Sequence, residues 1–350
     1  MQHAPQPVRP GEELPLPALG AYLQSRLGHA EPLSVSQLPG GYSNLTYLLR
    51  LGDHEYVLRR PPVGAHVKSG HDMEREFNVL SALRPQYAKV PRPVLYCGDA
   101  GVIGAPFYLM ERVDGLILRG SRPAGFTADA PTMRRLSEAL VDNLAEIHAL
   151  DVTRPEVAAL GRPGGYVVRQ VEGWTKRYGH TCTDELPEMD RVAAWLAAHP
   201  PPERYVGLVH NDYKYDNVVF APGPGDIRAV LDWEMATVGD PLMDLGTTLG
   251  YWAEPGDPAP LLGFGPTALP GNLTRRAVAD RYAARSGRDL GDVVFYYAFG
   301  LFKIGVIVQQ IYYRYRQGLT QDPRFAGLIH VLRACAVQAD RAIASGKIGE

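Results

Sequence analysis

Residues 217–232 read NVVFAPGPGDIRAVLD. Two short apolar runs, Val218 to Phe220 and Ile227 to Leu231, flank a Pro-Gly-Pro-Gly segment that suits neither helix nor strand, and this pattern predicts a hairpin. A hairpin brings the residue before its first strand beside the residue after its second. Asn217 and Asp232 are therefore expected to meet at its open end. An amide oxygen beside a carboxylate makes a hard-oxygen pair suited to Mg²⁺ and, with it, to phosphate.

The loop that leads into the hairpin crowds His210, Asn211, Asp212, Asp216 and Asn217 into eight positions of an otherwise apolar run. A buried segment carries so many polar groups only where something charged sits among them. Asp212, five residues before Asn217, suits a carboxylate near the metal but not on it: it accepts a hydrogen bond from a substrate hydroxyl and takes its proton as the hydroxyl attacks a γ-phosphate. His210, with that better-placed carboxylate beside it, reads as a brace for the loop. His210-x-Asp212-x4-Asn217 followed by Asp232 is the spacing of kinase catalytic loops.

The 350 residues are enough for two lobes, each with its own core. The first, residues 1–113, begins with a helix near Ala18–Gly28. Two strand-like runs follow around the Gly52-Asp53 turn, then a helix within His71–Pro85 and two further strands, the second ending at the Asp114-Gly115 linker. Residues 114–350 are mostly helical. A helix over Leu136–Asp151 puts Leu136, Leu140, Leu144 and Ile147 on one face, with His148 as a core or capping residue, and Asp292–Gly318 reads as a long buried helix. Asp240 and Asp244 of GDPLMDLG read as helix caps that also bond the catalytic-loop backbone. Glu234 is a weak candidate for a second metal.

Lys plus Arg number 36 against 38 Asp plus Glu, a net charge of −2, which gives no sign of a general nucleic-acid or membrane-surface binder. Cys97, Cys182 and Cys335 are odd in number and widely separated, which argues against a disulfide framework or zinc ribbon and for a cytoplasmic protein. The N-terminus has no apolar core of signal-peptide length, and the most apolar helix carries Lys303 in its middle, so no membrane span is expected. A homodimer is admitted but nothing argues for it.

HNDYKYDN, with LDWEMATVGDPLMDLG behind it, resembles the aminoglycoside phosphotransferase and choline kinase superfamily. Together with GGYSNLTYLLR, YVLRRPPVG, HDMEREF, VPRPVLYCGD and GAPFYLMERVDG, it is most similar to the phosphotransferase domains fused to, or encoded beside, acyl-CoA dehydrogenases. The resemblance implies an α+β, bilobal protein-kinase-like fold, with an antiparallel N-terminal sheet on one main helix and a mostly helical C-terminal lobe. It implies ATP and Mg²⁺ as cofactors, a small-molecule substrate with an alcohol group as acceptor, and a functional link to an acyl-CoA dehydrogenase. Asp212 would be the catalytic base, and Asn217 and Asp232 the metal ligands. Gly40, Gly41, Ser43 and Asn44 would cover the phosphates, Arg59 held by Glu76 would contact them, and Glu111 and Val113 would offer backbone groups to the adenine edge.

Two positions depart from the family pattern. Arg59 stands where most kinases have lysine, keeping the charge but presenting a planar fork. Asn211 replaces the usual glycine between His and Asp, and neither departure removes the base or a metal ligand. For the acceptor, residues 245–350 contain 12 Lys plus Arg against 8 Asp plus Glu, which disfavours a polycationic aminoglycoside and choline. Phe295, Tyr296, Phe299, Phe302 and Tyr312 with Lys303, Arg314 and Arg316 would suit an apolar, anionic ligand, or would simply be core and solvated surface. The resemblance implies a hydroxyacyl-CoA or similar anionic metabolite; an aminoglycoside, choline or sugar kinase, or a nucleotide-binding pseudokinase, are the alternatives.

Overall fold

The structure, a computed structural model, describes residues 5–28, 31–38, 44–62, 72–120, 126, 129–222, 225–320 and 322–349. Its chain divides into two compact units: Met1–Gly115 with Arg228–Met235, and Leu116–Ile227 with Ala236–Glu350.

The first unit contains α1 (Leu16–Leu27), β1 (Leu33–Gln37), β2 (Leu45–Leu51), β3 (His54–Arg60), α2 (Met73–Leu83), β4 (Pro93–Cys97), the short α3 (Ala100–Ile103) and β5 (Phe107–Glu111). The strands form one antiparallel sheet in the order β1-β2-β3-β5-β4. Alternation along the strands sorts their side chains. Leu45, Tyr47, Leu49 and Leu51 of β2, Leu58 of β3, and Phe107 and Leu109 of β5 share a buried cluster with Leu19 and Leu23 of α1. Arg59 therefore points to the other face, where Phe77 of α2 packs against Tyr108 and Tyr96. Asp72 caps α2 by accepting from the Arg75 amide, and Glu74 and Glu76 lie in the first turn, where carboxylates suit the helix dipole.

The sequence reading put residues 228–235 with the helical lobe, but in the structure they belong to the sheet unit. The Val230 amide donates to the Lys89 carbonyl at 2.7 Å, and Arg228 donates to the Asp114 carbonyl at 2.8 Å. Trp233 is buried against Tyr87 and donates its indole N–H to the Val230 carbonyl. A large aromatic with its one donor satisfied anchors this segment more firmly than its place in the chain suggests.

The second unit contains α4 (Ala130–His148), α5 (Pro155–Ala158), α6 (Tyr166–Thr181), α7 (Pro187–Ala198), β6 (Gly207–Val209), β7 (Val218–Phe220), β8 (Ile227–Val230, which leaves the unit after its first residue), β9 (Thr237–Gly239), α8 (Pro241–Tyr251), α9 (Arg275–Ser286), α10 (Val293–Arg316) and α11 (Leu328–Ser345). By length and composition α10 could cross a membrane, yet 78% of its most apolar window is buried, packed by α6, α7, α8 and α11 as a core helix. It approaches α8 backbone to backbone. A Cβ on Gly246 would lie 2.0 Å from the Tyr296 carbonyl oxygen, and one on Gly300 would lie 2.0 Å from that of Gly246. β6 pairs antiparallel with β9, Leu208 opposite Val238, and the loop beginning at His210 follows where β6 ends.

Candidate active site

His210 and Asn211 follow β6 directly, and their backbone is fixed before any ligand is considered. The two amides donate to the two carboxylate oxygens of Asp244 on α8, at 2.6 and 2.8 Å. Asp244 is fully buried and also contacts His148 Nε2 at 3.1 Å, while His148 Nδ1 lies 2.7 Å from the Tyr282 hydroxyl. Burial would raise the Asp244 carboxyl, but its bonds with His148 and the His210 amide hold it below the usual carboxylate range. Burial lowers His148 and outweighs the pull of Asp244. Asp240 caps α8 by accepting from the Leu242 amide at 2.8 Å. The two expected roles are thus divided: Asp240 caps the helix and Asp244 bonds the loop backbone.

Asn211 has φ of +68°, a left-handed conformation that glycine adopts freely and asparagine tolerates better than most residues. This is how a non-glycine residue stands where the resembling family has glycine. Its side chain is buried and takes a 3.1 Å bond to the Tyr166 hydroxyl, so Asn211 braces the loop from inside. His210 also braces it: Nδ1 accepts from the Asp212 amide at 3.3 Å.

Asp212 is held from two sides. Lys214 Nζ donates to both carboxylate oxygens at 2.8 Å, and the Asn217 amide nitrogen donates to Oδ2 and to the Asp212 carbonyl, each at 2.9 Å. The 3₁₀ turn Tyr215–Asn217 folds the chain back to make the second contact. With its nitrogen spent on Asp212, Asn217 has its oxygen as the atom suited to a metal. Lys214 also sits 4.4 Å from the centroid of the Tyr251 ring. Burial would lower its ammonium, but Asp212 and Tyr251 keep it above its usual value.

In the sheet unit, Arg59 gathers three carboxylates. Its guanidinium lies 2.6 Å from Glu76, 3.2 Å from Asp232 and 3.5 Å from Glu234. Asn44, also buried, donates to Glu234 at 2.9 Å. Burial pushes the Glu76 carboxyl up from its usual range, against the pull of Arg59; a 2.6 Å contact with a guanidinium is the geometry of a carboxylate. Asp232, like Asn211, has positive φ, +66°. Three carboxylates around one guanidinium leave excess negative charge on hard oxygens, which suits a divalent cation. Among the described residues no group of three or more His, Cys, Asp or Glu side chains is disposed to hold a metal by itself.

The remaining sequence candidates divide. Gly40, Gly41 and Ser43 lie outside the described residues. Glu111 ends β5 with its amide donating to the Arg92 carbonyl at 2.9 Å and its carboxylate accepting from the Arg92 amide, so its amide is not offered to a ligand; Val113 follows, half-buried. The grouping of α10 side chains as a ligand surface is not observed. Phe295, Tyr296, Phe299, Phe302 and Tyr312 are core, Arg314 and Arg316 are exposed, and Lys303 is fully buried with Nζ 2.6 Å from the Asn211 carbonyl oxygen. Sequence reasoning passed over Lys214, although a lysine two residues after the candidate base was a visible signal.

A model of the family described as "Phosphotransferase enzyme family" matches residues 34–279. Acyl-CoA dehydrogenase family member 10 of Mus musculus is 35% identical over 316 residues, covering 88% of this chain and 29% of that protein. The chain thus spans under a third of that relative's length. The crystal structure of a candidate aminoglycoside phosphotransferase from Ralstonia eutropha is 31% identical, with a TM-score of 0.81 over 95% of this chain and 99% of that one. A thermostable mutant of aminoglycoside phosphotransferase APH(4)-Ia, solved with AMP-PNP and hygromycin B, shares the fold: TM-score 0.59, 17% identity, coverage of 93% and 98%.

Proposed function

This chain belongs to the phosphotransferase enzyme family, and from that premise we infer that it is an ATP- and Mg²⁺-dependent kinase that phosphorylates a hydroxyl of a small anionic metabolite, of the hydroxyacyl-CoA class. The observation that carries the kinase reading is Asp212, a carboxylate fixed by Lys214 and Asn217 on a loop whose backbone is pinned by Asp244.

In this reading Asp212 accepts a hydrogen bond from the acceptor hydroxyl and orients it. As the hydroxyl oxygen forms its bond to the γ-phosphorus, the bond from that phosphorus to the ADP oxygen breaks, and the hydroxyl proton passes to Asp212. Asn217 and Asp232 would hold Mg²⁺, which when bound neutralises charge on the phosphate oxygens. Arg59, anchored by Glu76, offers a planar fork to phosphate. AMP-PNP in the complex of the APH(4)-Ia mutant supports ATP as the donor.

The acceptor class rests on two supports: the excess of basic over acidic residues in 245–350, and a relative named as an acyl-CoA dehydrogenase family member. A partnership with an acyl-CoA dehydrogenase activity is part of the same proposal. Cytoplasmic residence is proposed from the three free cysteines.

The test is Mg²⁺-dependent ADP release by wild type and Asp212→Ala with hydroxyacyl-CoA thioesters, aminoglycosides, choline and sugars. Turnover with the thioesters, lost in the variant while nucleotide still binds, is the expected result. Faster turnover of an aminoglycoside, choline or sugar overturns the acceptor class. Tight nucleotide binding with no ADP release from any acceptor overturns the kinase reading in favour of a nucleotide-binding pseudokinase.

A further inference from the structure

Lys303 is the charge in the middle of the most apolar helix, and it is fully buried. A buried ammonium is costly unless it is paired and hydrogen-bonded. Its partners are specific: Nζ lies 2.6 Å from the Asn211 carbonyl oxygen and 3.2 Å from Asn211 Oδ1, and 5.8 Å from the centroid of the Trp174 ring of α6. The charged groups facing it are Asp244 and Asp212, which favour its ammonium form, and Lys214 and Arg177, which oppose it.

The Asn211 backbone is gripped at both ends. Asp244 of α8 accepts from its N–H, and Lys303 of α10 donates to its C=O. The contact of α8 and α10 at Gly246 and Gly300 brings these two charges to one residue, because Asp244 lies two positions before Gly246 and Lys303 three after Gly300. The gripped carbonyl belongs to the peptide that leads into Asp212.

We propose that Lys303 is a positioning residue of the catalytic loop, holding the left-handed Asn211 peptide by its carbonyl so that Asp212 presents its carboxylate in one orientation. The proposal rests on the reading of Asp212 as the catalytic carboxylate. Nothing in it requires Lys303 to touch substrate, and its burial keeps it from doing so.

The test compares wild type with Lys303→Met and Lys303→Gln, the second retaining a donor without the charge. Thermal unfolding establishes that each variant is folded. Amide hydrogen exchange then reads residues 210–217, and ADP release from Mg²⁺-ATP with hydroxyacyl-CoA thioesters, or with water as acceptor, reads kcat and the KM for ATP. Loss of a charge-assisted bond predicts exchange in 210–217 faster by about ten-fold or more, and kcat lower by about ten- to a hundred-fold with the KM for ATP unchanged. A folded variant with wild-type exchange in 210–217, or with exchange accelerated equally throughout the helical unit, overturns the proposal, as does faster loop exchange with unchanged kcat. If wild type turns over no ATP, the kinase reading fails by itself, and the exchange pattern still decides whether Lys303 holds the loop.

Discussion

Lys214 donates to both carboxylate oxygens of Asp212 at 2.8 Å. The two residues are two apart in sequence, and a lysine so close in the chain could equally have pointed to solvent. Its position against the Tyr251 ring, 4.4 Å from the centroid, keeps it turned inward. The pair fixes the Asp212 carboxylate and keeps a positive charge where a phosphate is expected.

Lys214→Met should therefore lower kcat by about ten- to a hundred-fold, the value of a bond to a charged group, with a smaller effect on overall stability. Steady-state ADP release combined with urea unfolding separates the two effects. Stability lost in the same proportion as activity would mean that Lys214 is only a structural tether.

Arg59→Ala removes a guanidinium that contacts Glu76, Asp232 and Glu234. Glu76 would be left buried without its guanidinium, which costs about 3–5 kcal/mol. Arg59→Lys keeps the charge but cannot fork between Glu76 and Asp232, so its cost should be nearer 1–2 kcal/mol, on the order of one charge-assisted bond. Urea unfolding of both variants checks this ranking.

Asn211 gives a backbone test. Asn211→Ala places a β-carbon residue without polar compensation at φ of +68°, and should cost about 1–2 kcal/mol in conformation besides the bond to Tyr166. Asn211→Gly removes the strain but loses the same bond and gains unfolded-state entropy. The expected order of stability is wild type, then glycine, then alanine, and thermal unfolding reads it directly.

Several structural features around the candidate site could be read in the sequence because their signals are local. The fold class followed from periodicity and resemblance, and α2 lies inside the stretch that its spacing and Pro85 marked out. Asp240 and Asp244 could be assigned to capping and loop bonding from their place at a helix start. Lys303 could not be assigned so simply, since a lone lysine in an apolar helix says that a partner exists without saying where. Its partner, Asn211, is 92 residues away in the chain. The attachment of residues 228–235 to the sheet unit was hidden for the same reason, because it depends on Trp233 meeting Tyr87. Sequence order shows which side chains need partners, and tertiary packing supplies them.

Gly300→Ala tests the packing that brings Asp244 and Lys303 to one residue. The added Cβ would meet the Gly246 carbonyl at 2.0 Å, and a backbone atom cannot rotate away as a side chain can. The helices must separate, at a cost of about 1–3 kcal/mol or more. Because α8 carries Asp244, faster amide exchange at His210 and Asn211 should accompany the lower melting temperature.

Lys303 also gives a pH dependence whose sign can be worked out. Burial pushes its ammonium down to about 8, only partly offset by Asp244 and Asp212, and aggravated by Lys214 and Arg177. In the unfolded chain the group keeps its ordinary value near 10.4. Between these values the unfolded chain binds the proton that the folded chain has released, so stability rises with pH across that window. Below pH 8 both states are protonated and the cost of burial is constant. Wild type should therefore gain on the order of 2 kcal/mol relative to Lys303→Met between pH 7 and pH 10, the difference removing other groups that titrate in the same range. Over the same interval the charge that strengthens the bond to Asn211 is lost, so wild-type kcat should fall as pH passes 8, while Lys303→Met, already low, lacks that limb. Stability and turnover moving in opposite directions would distinguish a lysine that holds the loop from one that merely supports the core.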